Sequence, residues 1–263
     1  MARIGLIAIV IVAAVTAIVF AVAPRLDLNI AMYFHHYQAS DAAQRINPVF
    51  AFLRDVNYKL VILAVVLPVI AFVIKLAWPK WPMLIRPRAA ILMVAAMLIG
   101  PGLVVNGILK DQWARPRPGE VTEFGGPLAY KPWYDPSGEC RSNCSFVSGE
   151  SASAFWLLAP AAAVPPPWTI PTVVGATVWA SVIAFSRVFT TGHFFTDAVF
   201  AAALVSLVVW LMHGLLYRWA ATAPSDAAIE RRIERCVHAA RRPFAAAGTR
   251  LFRRSGKDLN ADG

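Results

Sequence analysis

The run AAILMVAAMLIGPGLVVNGIL, residues 89–109, decides the fold class of this chain. It holds 21 residues and no charge, and a helix of about 20 apolar residues crosses the ~30 Å hydrocarbon core of a bilayer. Gly100-Pro101-Gly102 within the run predicts a kink, because proline removes a backbone donor and glycine adds freedom. The run therefore predicts a membrane-spanning helix.

Five further apolar runs of similar length flank this one. In chain order the six candidate spans are Ile4–Ala23, Leu60–Trp78, Ala89–Leu109, Ser151–Pro167, Trp168–Phe185 and Ala198–Leu216. Charged residues make up only 15% of the 263 residues, against about 25% in soluble domains. The sequence predicts an all-α integral membrane protein, with a six-helix bundle over residues 1–217 and a basic, partly helical tail over 218–263.

The first run imitates a secretory signal, because the small residues Ala21-Val22-Ala23 resemble a cleavage site. Its apolar core of about 19 residues exceeds the 7–15 residues of a signal peptide. Pro24 directly follows the small residues. We therefore expect this run to be retained as a membrane helix.

The net charge of +10 is a signal of orientation more than of nucleic-acid binding. Four cations (Lys75, Lys80, Arg86 and Arg88) lie from the end of the second run to the start of the third, and ten of the 25 Lys and Arg residues follow Tyr217. The positive-inside rule places both regions in the cytoplasm. The loops after the first, third and fifth runs then face outward, which in a bacterial inner membrane is the periplasm.

The tail segment Ile229–Arg242 has apolar residues at helical spacing and arginines on its other face. Such a helix can lie on anionic lipid, and a solvated basic tail is the alternative. Cys140 and Cys144 lie in an outward loop, where a disulfide is compatible with the compartment. The loop offers too few Cys and His ligands for zinc, and no metal or other cofactor is expected.

Three polar clusters fall on the outward side. The first, KDQWARPRP at residues 110–118, holds the cations Lys110, Arg115 and Arg117. These side chains can anchor a helix at the interface, or they can bind phosphate, since Arg presents a fork of donors and Lys a movable point charge.

The second cluster, SRVFTTGHFFTD at residues 186–197, contains Arg187, His193 and Asp197. His193 and Asp197 are four residues apart and share a helix face. A carboxylate bonded to one imidazole nitrogen fixes the tautomer and frees the other nitrogen to act as nucleophile or base. A structural histidine at a helix end is the alternative reading.

The third cluster, CSFVSGESAS at residues 144–153, places Ser148, Gly149 and Glu150 at the predicted start of the fourth helix. Ser148 can cap the free amides of that helix, and a helix N-terminus favours anions. The topology follows from the apolar runs and the positive-inside rule alone, and it puts all three clusters on the same side of the membrane. This agreement favours a single phosphate site.

Together the clusters resemble the signature of the type-2 phosphatidic acid phosphatase superfamily. The matching elements are Lys110, six residues and Arg117-Pro118; Ser148-Gly149; and Ser186-Arg187, five residues, His193, three residues and Asp197. The resemblance implies a metal-independent phosphatase. His193 would form a phosphohistidine, Asp197 would hold its imidazole, and Lys110, Arg117, Ser148, Gly149 and Arg187 would bind the phosphate.

The middle motif departs from the family pattern, because Glu150 stands where the family has a histidine that protonates the leaving oxygen. A bound phosphate and partial desolvation both raise a carboxyl pKa above ~4.3. The three cations work in the other direction. We expect Glu150 to serve as an unusual general acid, although the sequence leaves the net sign open.

The resemblance implies a phosphorylated membrane lipid as substrate and no nucleic-acid partner. Lipid A phosphate is the preferred candidate, with polyprenyl pyrophosphate or phosphatidylglycerophosphate as alternatives. A weakened relative that binds anionic lipid or acts as a scaffold is a further alternative, as is a transporter, although transport sites usually lie near the midplane. His35-His36 in the first outward loop is a weaker candidate for substrate contact. The sequence leaves the oligomeric state open.

Overall fold

The computed structural model describes residues 2–241, and the segments of regular structure in this range are helices. The α-helices are α1 (Ala2–Val22), α2 (Arg25–Tyr37), α3 (Asp41–Ala77), α4 (Pro87–Met97), α5 (Lys110–Gln112), α6 (Gly149–Trp156), α7 (Leu158–Ala163), α8 (Thr169–Phe189), α9 (Phe195–His213) and α10 (226–241). Further 3-10 and π-helical segments lie between some of them. Five stretches in this range are long and apolar enough to cross a membrane. The predicted all-α membrane class is confirmed.

The spans differ from the predicted runs at two places. The second span begins at Asp41 instead of Leu60, because a polar extension precedes its apolar part. The side chain of Ser40 caps this extension by accepting a hydrogen bond from the Ala43 N–H at 3.2 Å. The fourth run is not one helix but the short pair α6 and α7, which meet at Leu157. From residue 149 to 163 this pair rises about 21 Å, which is less than the hydrocarbon core.

The predicted kink in the third span is a local change of helix type. Residues Leu98–Leu109, between α4 and α5, form a π-helical segment around Pro101. The side-chain amide of Asn106 donates to the Pro101 carbonyl at 2.7 Å. The Pro101 carbonyl is thus hydrogen-bonded within the protein. The hydrocarbon core requires this, because it contains no water that could bind the carbonyl.

The core lies where α4, α6, α8 and α9 pack together. Trp156 on α6 is fully buried, and its indole N–H donates to the Met93 carbonyl at 3.0 Å. The packed helices also bury six alanines completely: Ala90, Ala96, Ala152, Ala159, Ala180 and Ala201. Small residues let helix backbones approach closely in a membrane.

The outer helices α1 and α3 expose large apolar side chains, such as Ile4 and Val73, along their length. Such surfaces suit contact with lipid chains. Between them, α2 turns a buried face with Asp27, Leu28 and Ala31 toward the protein. This face brings a carboxylate to the same end of the bundle as the polar clusters.

At the opposite end, α10 packs on the loop between α3 and α4. Glu234 pairs with the buried Lys75 at 2.7 Å, and Asp226 pairs with Arg88 at 3.3 Å. The acidic face of the helix thus contacts the protein, and Arg231 is exposed. Arg242 and the later basic residues of the predicted tail lie outside the described residues.

Candidate active site

The three clusters meet at one end of the helix bundle. The N–H of Ser148 donates to the Asp197 carbonyl at 3.1 Å, which joins the start of α6 to the start of α9. Lys110 reaches the same place, because a Cβ added to Gly149 would lie 3.1 Å from Lys110 Nζ. The glycine leaves room for an ammonium group beside the N-terminus of α6.

His193 lies just before α9 and is buried, with 3% of its side chain exposed. Its Nδ1 is 2.9 Å from the Ser145 carbonyl, which can only accept. Nδ1 therefore carries the hydrogen, and the neutral ring has its lone pair on Nε2. Burial lowers the pKa of His193 below its ordinary 6.5 and outweighs the opposing effect of Asp197. A neutral imidazole with a free Nε2 is a nucleophile.

Asp197 holds His193 less directly than the motif suggests. Its Oδ2 is 3.7 Å from His193 Nδ1. The Ser145 hydroxyl donates to this oxygen at 2.5 Å, and the Phe194 N–H donates to it at 3.0 Å. Ser145 therefore connects the two, since its hydroxyl binds the carboxylate and its carbonyl orients the imidazole.

A buried ion network lies behind Asp197. Arg115 donates through Nη1 to Asp197 Oδ1 at 2.5 Å and through Nη2 to Asp27 Oδ2 at 2.8 Å. Burial raises the pKa of Asp27, although Arg115 partly offsets this. Thr196 donates its N–H to Asp27 at 3.2 Å and contacts it again through its hydroxyl. Arg115 thus belongs to the support of Asp197, whereas Lys110 and Arg117 lie in the site itself.

Asn143 links these two cations. Lys110 Nζ donates to its side-chain oxygen at 2.8 Å, and Arg117 donates to its carbonyl through Nε and Nη2 at 3.1 and 3.0 Å. Cys140 and Cys144 form a disulfide that closes the turn carrying Asn143. The turn therefore holds two motif cations side by side.

Arg187 approaches from α8 and lies against Gly192. A Cβ added to Gly192 would lie 2.2 Å from Arg187 Nη2, so any larger residue here would displace this guanidinium. Arg187 Nε is buried and has no hydrogen-bond partner among the residues that the structure describes. A buried charged donor without an acceptor is costly, and a phosphate oxygen would supply the acceptor.

Glu150 is bound by arginine on both sides. Arg54 on α3 donates through Nε to Oε2 at 2.5 Å and through Nη2 to Oε1 at 2.7 Å. Arg187 Nε is 3.6 Å from Oε1. Burial raises the pKa of Glu150, but the hydrogen bond from Arg54 and the charges of Arg187 and Arg54 outweigh it and lower the pKa below 4.5. The ligand-free site therefore favours the carboxylate over the acid that the sequence hypothesis requires.

Ser148 is buried and caps α6, where its Oγ accepts from the N–H of Ser151 at 3.3 Å. Ser151 Oγ also contacts it at 2.9 Å. Ser148 thus lies at the N-terminus of α6 beside Lys110, where it was predicted to bind phosphate. Its hydroxyl also stabilises the first turn of the helix through these two contacts with Ser151.

The structure adds residues to those that the sequence indicated. Arg54, Asn143 and Ser145 contact predicted site residues, and Asp27 reaches Asp197 through Arg115. None of the four carries a motif of its own. A charged residue beside an apolar run is the only sequence signal for Arg54 and Asp27. His35, in contrast, packs against the Phe124 ring, with centroids 5.0 Å apart. Across residues 2–241, no group of three or more His, Cys, Asp or Glu residues could hold a metal ion.

Comparison with known proteins identifies the family. The sequence profile of the PAP2 superfamily matches residues 88–221. The chain is 33% identical over 221 residues to a lipid A 4'-phosphatase of Francisella tularensis subsp. novicida (strain U112), covering 83% of this chain and 98% of that protein. A lipid A 4'-phosphatase of Rhizobium etli is 53% identical over 72 residues, 27% of this chain and 28% of that protein.

A lipid A 4'-phosphatase of Rhizobium leguminosarum is 54% identical over 72 residues, which cover 27% of this chain and 31% of that protein. No solved structure matches the chain. The profile match and the Francisella relative extend over the segments that build the site, from Lys110 to Asp197. The chain therefore belongs to the PAP2 superfamily, and it is a membrane lipid phosphatase that hydrolyses phosphomonoesters.

Proposed function

We propose that the protein removes a phosphate from lipid A by way of a phosphohistidine at His193. The substrate assignment is carried by the likeness to the Francisella lipid A 4'-phosphatase, of which the chain covers 98%. The site geometry supports the chemistry, because a buried neutral imidazole lies among Lys110, Arg117 and Arg187. Positioning and charge neutralisation are most of what phosphoryl transfer requires.

In this reaction Nε2 of His193 attacks the phosphorus atom. The bond from phosphorus to the lipid oxygen breaks, and its electron pair stays on that oxygen, which takes up a proton. Lys110, Arg117, Arg187 and the N-terminus of α6 at Ser148 and Gly149 stabilise the charge that develops on the phosphate. Water then attacks the phosphohistidine, which releases inorganic phosphate and restores the neutral ring.

Asp197 stabilises the positive charge that the imidazole acquires on phosphorylation. It acts at 3.7 Å and through Ser145, and Arg115 keeps it ionised from the other side. Protonation of the leaving oxygen by Glu150 requires that bound phosphate raises the pKa of this carboxyl. An ionised Glu150 would leave that proton to water.

We infer that this site faces the periplasm and α10 the cytoplasm, with the chain in a bacterial inner membrane. The basic loop from Lys75 to Arg88 and the arginines of α10 lie at the end opposite His193, which fits the positive-inside rule. The phosphate groups of lipid A would reach the site from the outer leaflet.

The test is phosphate release from bis-phosphorylated lipid A by the detergent-purified protein with chelator present, with mass spectrometry of the lipid product. We expect loss of one phosphate, and no turnover by His193→Ala. His238→Ala removes an exposed histidine on α10 and serves as the matched control with full activity.

The same panel includes a polyprenyl pyrophosphate and phosphatidylglycerophosphate. Faster turnover of either would replace lipid A as the substrate while keeping the mechanism. Turnover that survives His193→Ala would contradict the phosphohistidine route. No turnover of any lipid phosphate would favour the lipid-binding alternative.

A further inference from the structure

Arg54 is a cation of the site that lies outside all three motif segments. It comes from α3, 96 residues before Glu150 in sequence, and its Nε and Nη2 form a fork onto the Glu150 carboxylate. One turn later, the side chain of Asn57 accepts from the indole N–H of Trp179 at 3.0 Å. This contact fixes α3 against α8, so that Arg54 is held at the site by packing as well as by charge.

An acceptor position lies between Arg54 and Arg187. Oε1 of Glu150 is 2.7 Å from Arg54 Nη2 and 3.6 Å from Arg187 Nε. The second distance is too long for a hydrogen bond, and within the described chain this buried Nε has no other acceptor. An oxygen placed slightly closer to Arg187 would bind both guanidinium groups.

We propose that Arg54 is a fourth phosphate-binding cation, beside Lys110, Arg117 and Arg187, that Glu150 positions it, and that a phosphate oxygen binds between Arg54 and Arg187. The inference rests on the proposed function and extends it to residues outside the motif. The oxygen takes over Arg54 Nη2 and satisfies Arg187 Nε, while Glu150 keeps its Oε2 contact with Arg54 Nε. Arginine has five N–H donors, of which the Glu150 fork occupies two.

This arrangement explains why a glutamate is compatible with a phosphate site. An isolated carboxylate would repel phosphate, but Glu150 is neutralised by Arg54 at 2.5 and 2.7 Å. The pair brings a guanidinium fork, which suits the geometry of a phosphate. The Arg54–Glu150 pair therefore takes the place at the start of α6 that a single histidine has in the family pattern.

A binding measurement tests Arg54 without turnover. Inorganic phosphate is titrated calorimetrically into detergent-solubilised His193→Ala protein, with and without a second substitution. We expect Arg54→Ala to weaken phosphate binding about 10- to 100-fold, the range of a charge-assisted hydrogen bond. Lys59→Ala removes a cation from the same helix that is 72% exposed and leaves the affinity unchanged.

Unchanged affinity in Arg54→Ala would overturn the assignment, whatever the protein's substrate proves to be. Arg54→Lys keeps the charge and loses the fork, so it should bind phosphate with intermediate affinity. If Arg54→Ala does not elute as a folded protein in size-exclusion chromatography, Arg54→Lys is the variant that tests the assignment.

Kinetics test the positioning role of Glu150. If Glu150 acts through Arg54, Glu150→Gln and Arg54→Ala both raise KM, and the double variant is no worse than Arg54→Ala alone, because coupled residues are not additive. The basic limb of the pH profile is then the same in Glu150→Gln and in the wild type. A fall in kcat with loss of the basic limb in Glu150→Gln would identify Glu150 as the acid and overturn the positioning role.

Discussion

The guanidinium of Arg115 donates to the carboxylate of Asp197 at 2.5 Å, and both side chains are fully buried. Asp197 is therefore fixed from behind by a cation before it acts on His193. In the proposed mechanism this carboxylate stabilises the phosphorylated His193, and Arg115 fixes its position. The network ties the site to α2 through Asp27, which makes this helix part of the support of Asp197.

Replacing Arg115 by methionine should destabilise the protein strongly. Two buried carboxylates would then lack their cation, and breaking a buried pair costs about 3–5 kcal/mol. Thermal unfolding followed by size-exclusion fluorescence should show a large decrease in Tm, whereas Arg141→Ala, at an exposed position in the same loop, should show none. Adding Asp27→Asn to Arg115→Met should recover part of the loss, since it removes one of the unpaired charges.

The activity should persist at pH values at which an ordinary histidine is protonated. Burial lowers the pKa of His193 below 6.5, so the ring stays neutral and nucleophilic as the pH falls through that value. The acid limb of kcat/KM, which reports groups of the free enzyme, should lie below pH 6.5. A limb at or above that pH, measured on dilute substrate, would contradict the buried neutral imidazole.

Gly192→Ala should impair phosphate binding while the fold stays intact. The new Cβ would lie 2.2 Å from Arg187 Nη2, and the flexible guanidinium moves more easily than the backbone. Loss of one charge-assisted contact predicts an increase in KM of about 10- to 100-fold. Gly175→Ala on α8 is the matched control, since an added Cβ there meets nothing within 4 Å. Equal KM values for the two variants would argue against a role for Arg187.

Opening the disulfide should weaken the site more than the fold. Cys140 and Cys144 close the turn in which Asn143 holds Lys110 and Arg117, and without the bond these cations lose their common support. We expect Cys140→Ser to raise KM several-fold with a small change in Tm. Cys236→Ser removes an exposed thiol and is the control, with KM and Tm unchanged. An unaltered KM in Cys140→Ser would show that the turn keeps its shape without the disulfide.

The sequence was sufficient for the membrane class and for the convergence of the three clusters, because apolar length and motif spacing are local signals. The start of α3 at Asp41 was not predictable from hydropathy, since its first residues are polar and their helix is stabilised by the Ser40 cap. The division of the fourth run at Leu157 does have a local signal, because Pro160 has no N–H to bond the Trp156 carbonyl four residues earlier.

The long-range partners of the site escaped prediction for a different reason. Arg54 and Glu150 are 96 residues apart, and Asp27 and Arg115 are 88 apart. In the sequence, Arg54 and Asp27 are two charged residues among several in the first outward loop. Only the packing of α2 and α3 brings these two to the site. The ionisation of Glu150 depends on Arg54, so its sign could not be obtained from the motif alone.

The length of α3 has a consequence for how substrate arrives. At 1.5 Å per residue, Arg54 lies about 35 Å along the helix from Ala77, whereas the hydrocarbon core measures about 30 Å. With Ala77 at the cytoplasmic boundary of the membrane, Arg54 is thus at the depth of the opposite lipid head groups. In the proposed function, an amphiphile would present its phosphate at that depth while its acyl chains stay in the bilayer. The rate should then follow the mole fraction of substrate in the membrane or micelle, and dilution of the bulk solution at constant mole fraction should leave it unchanged.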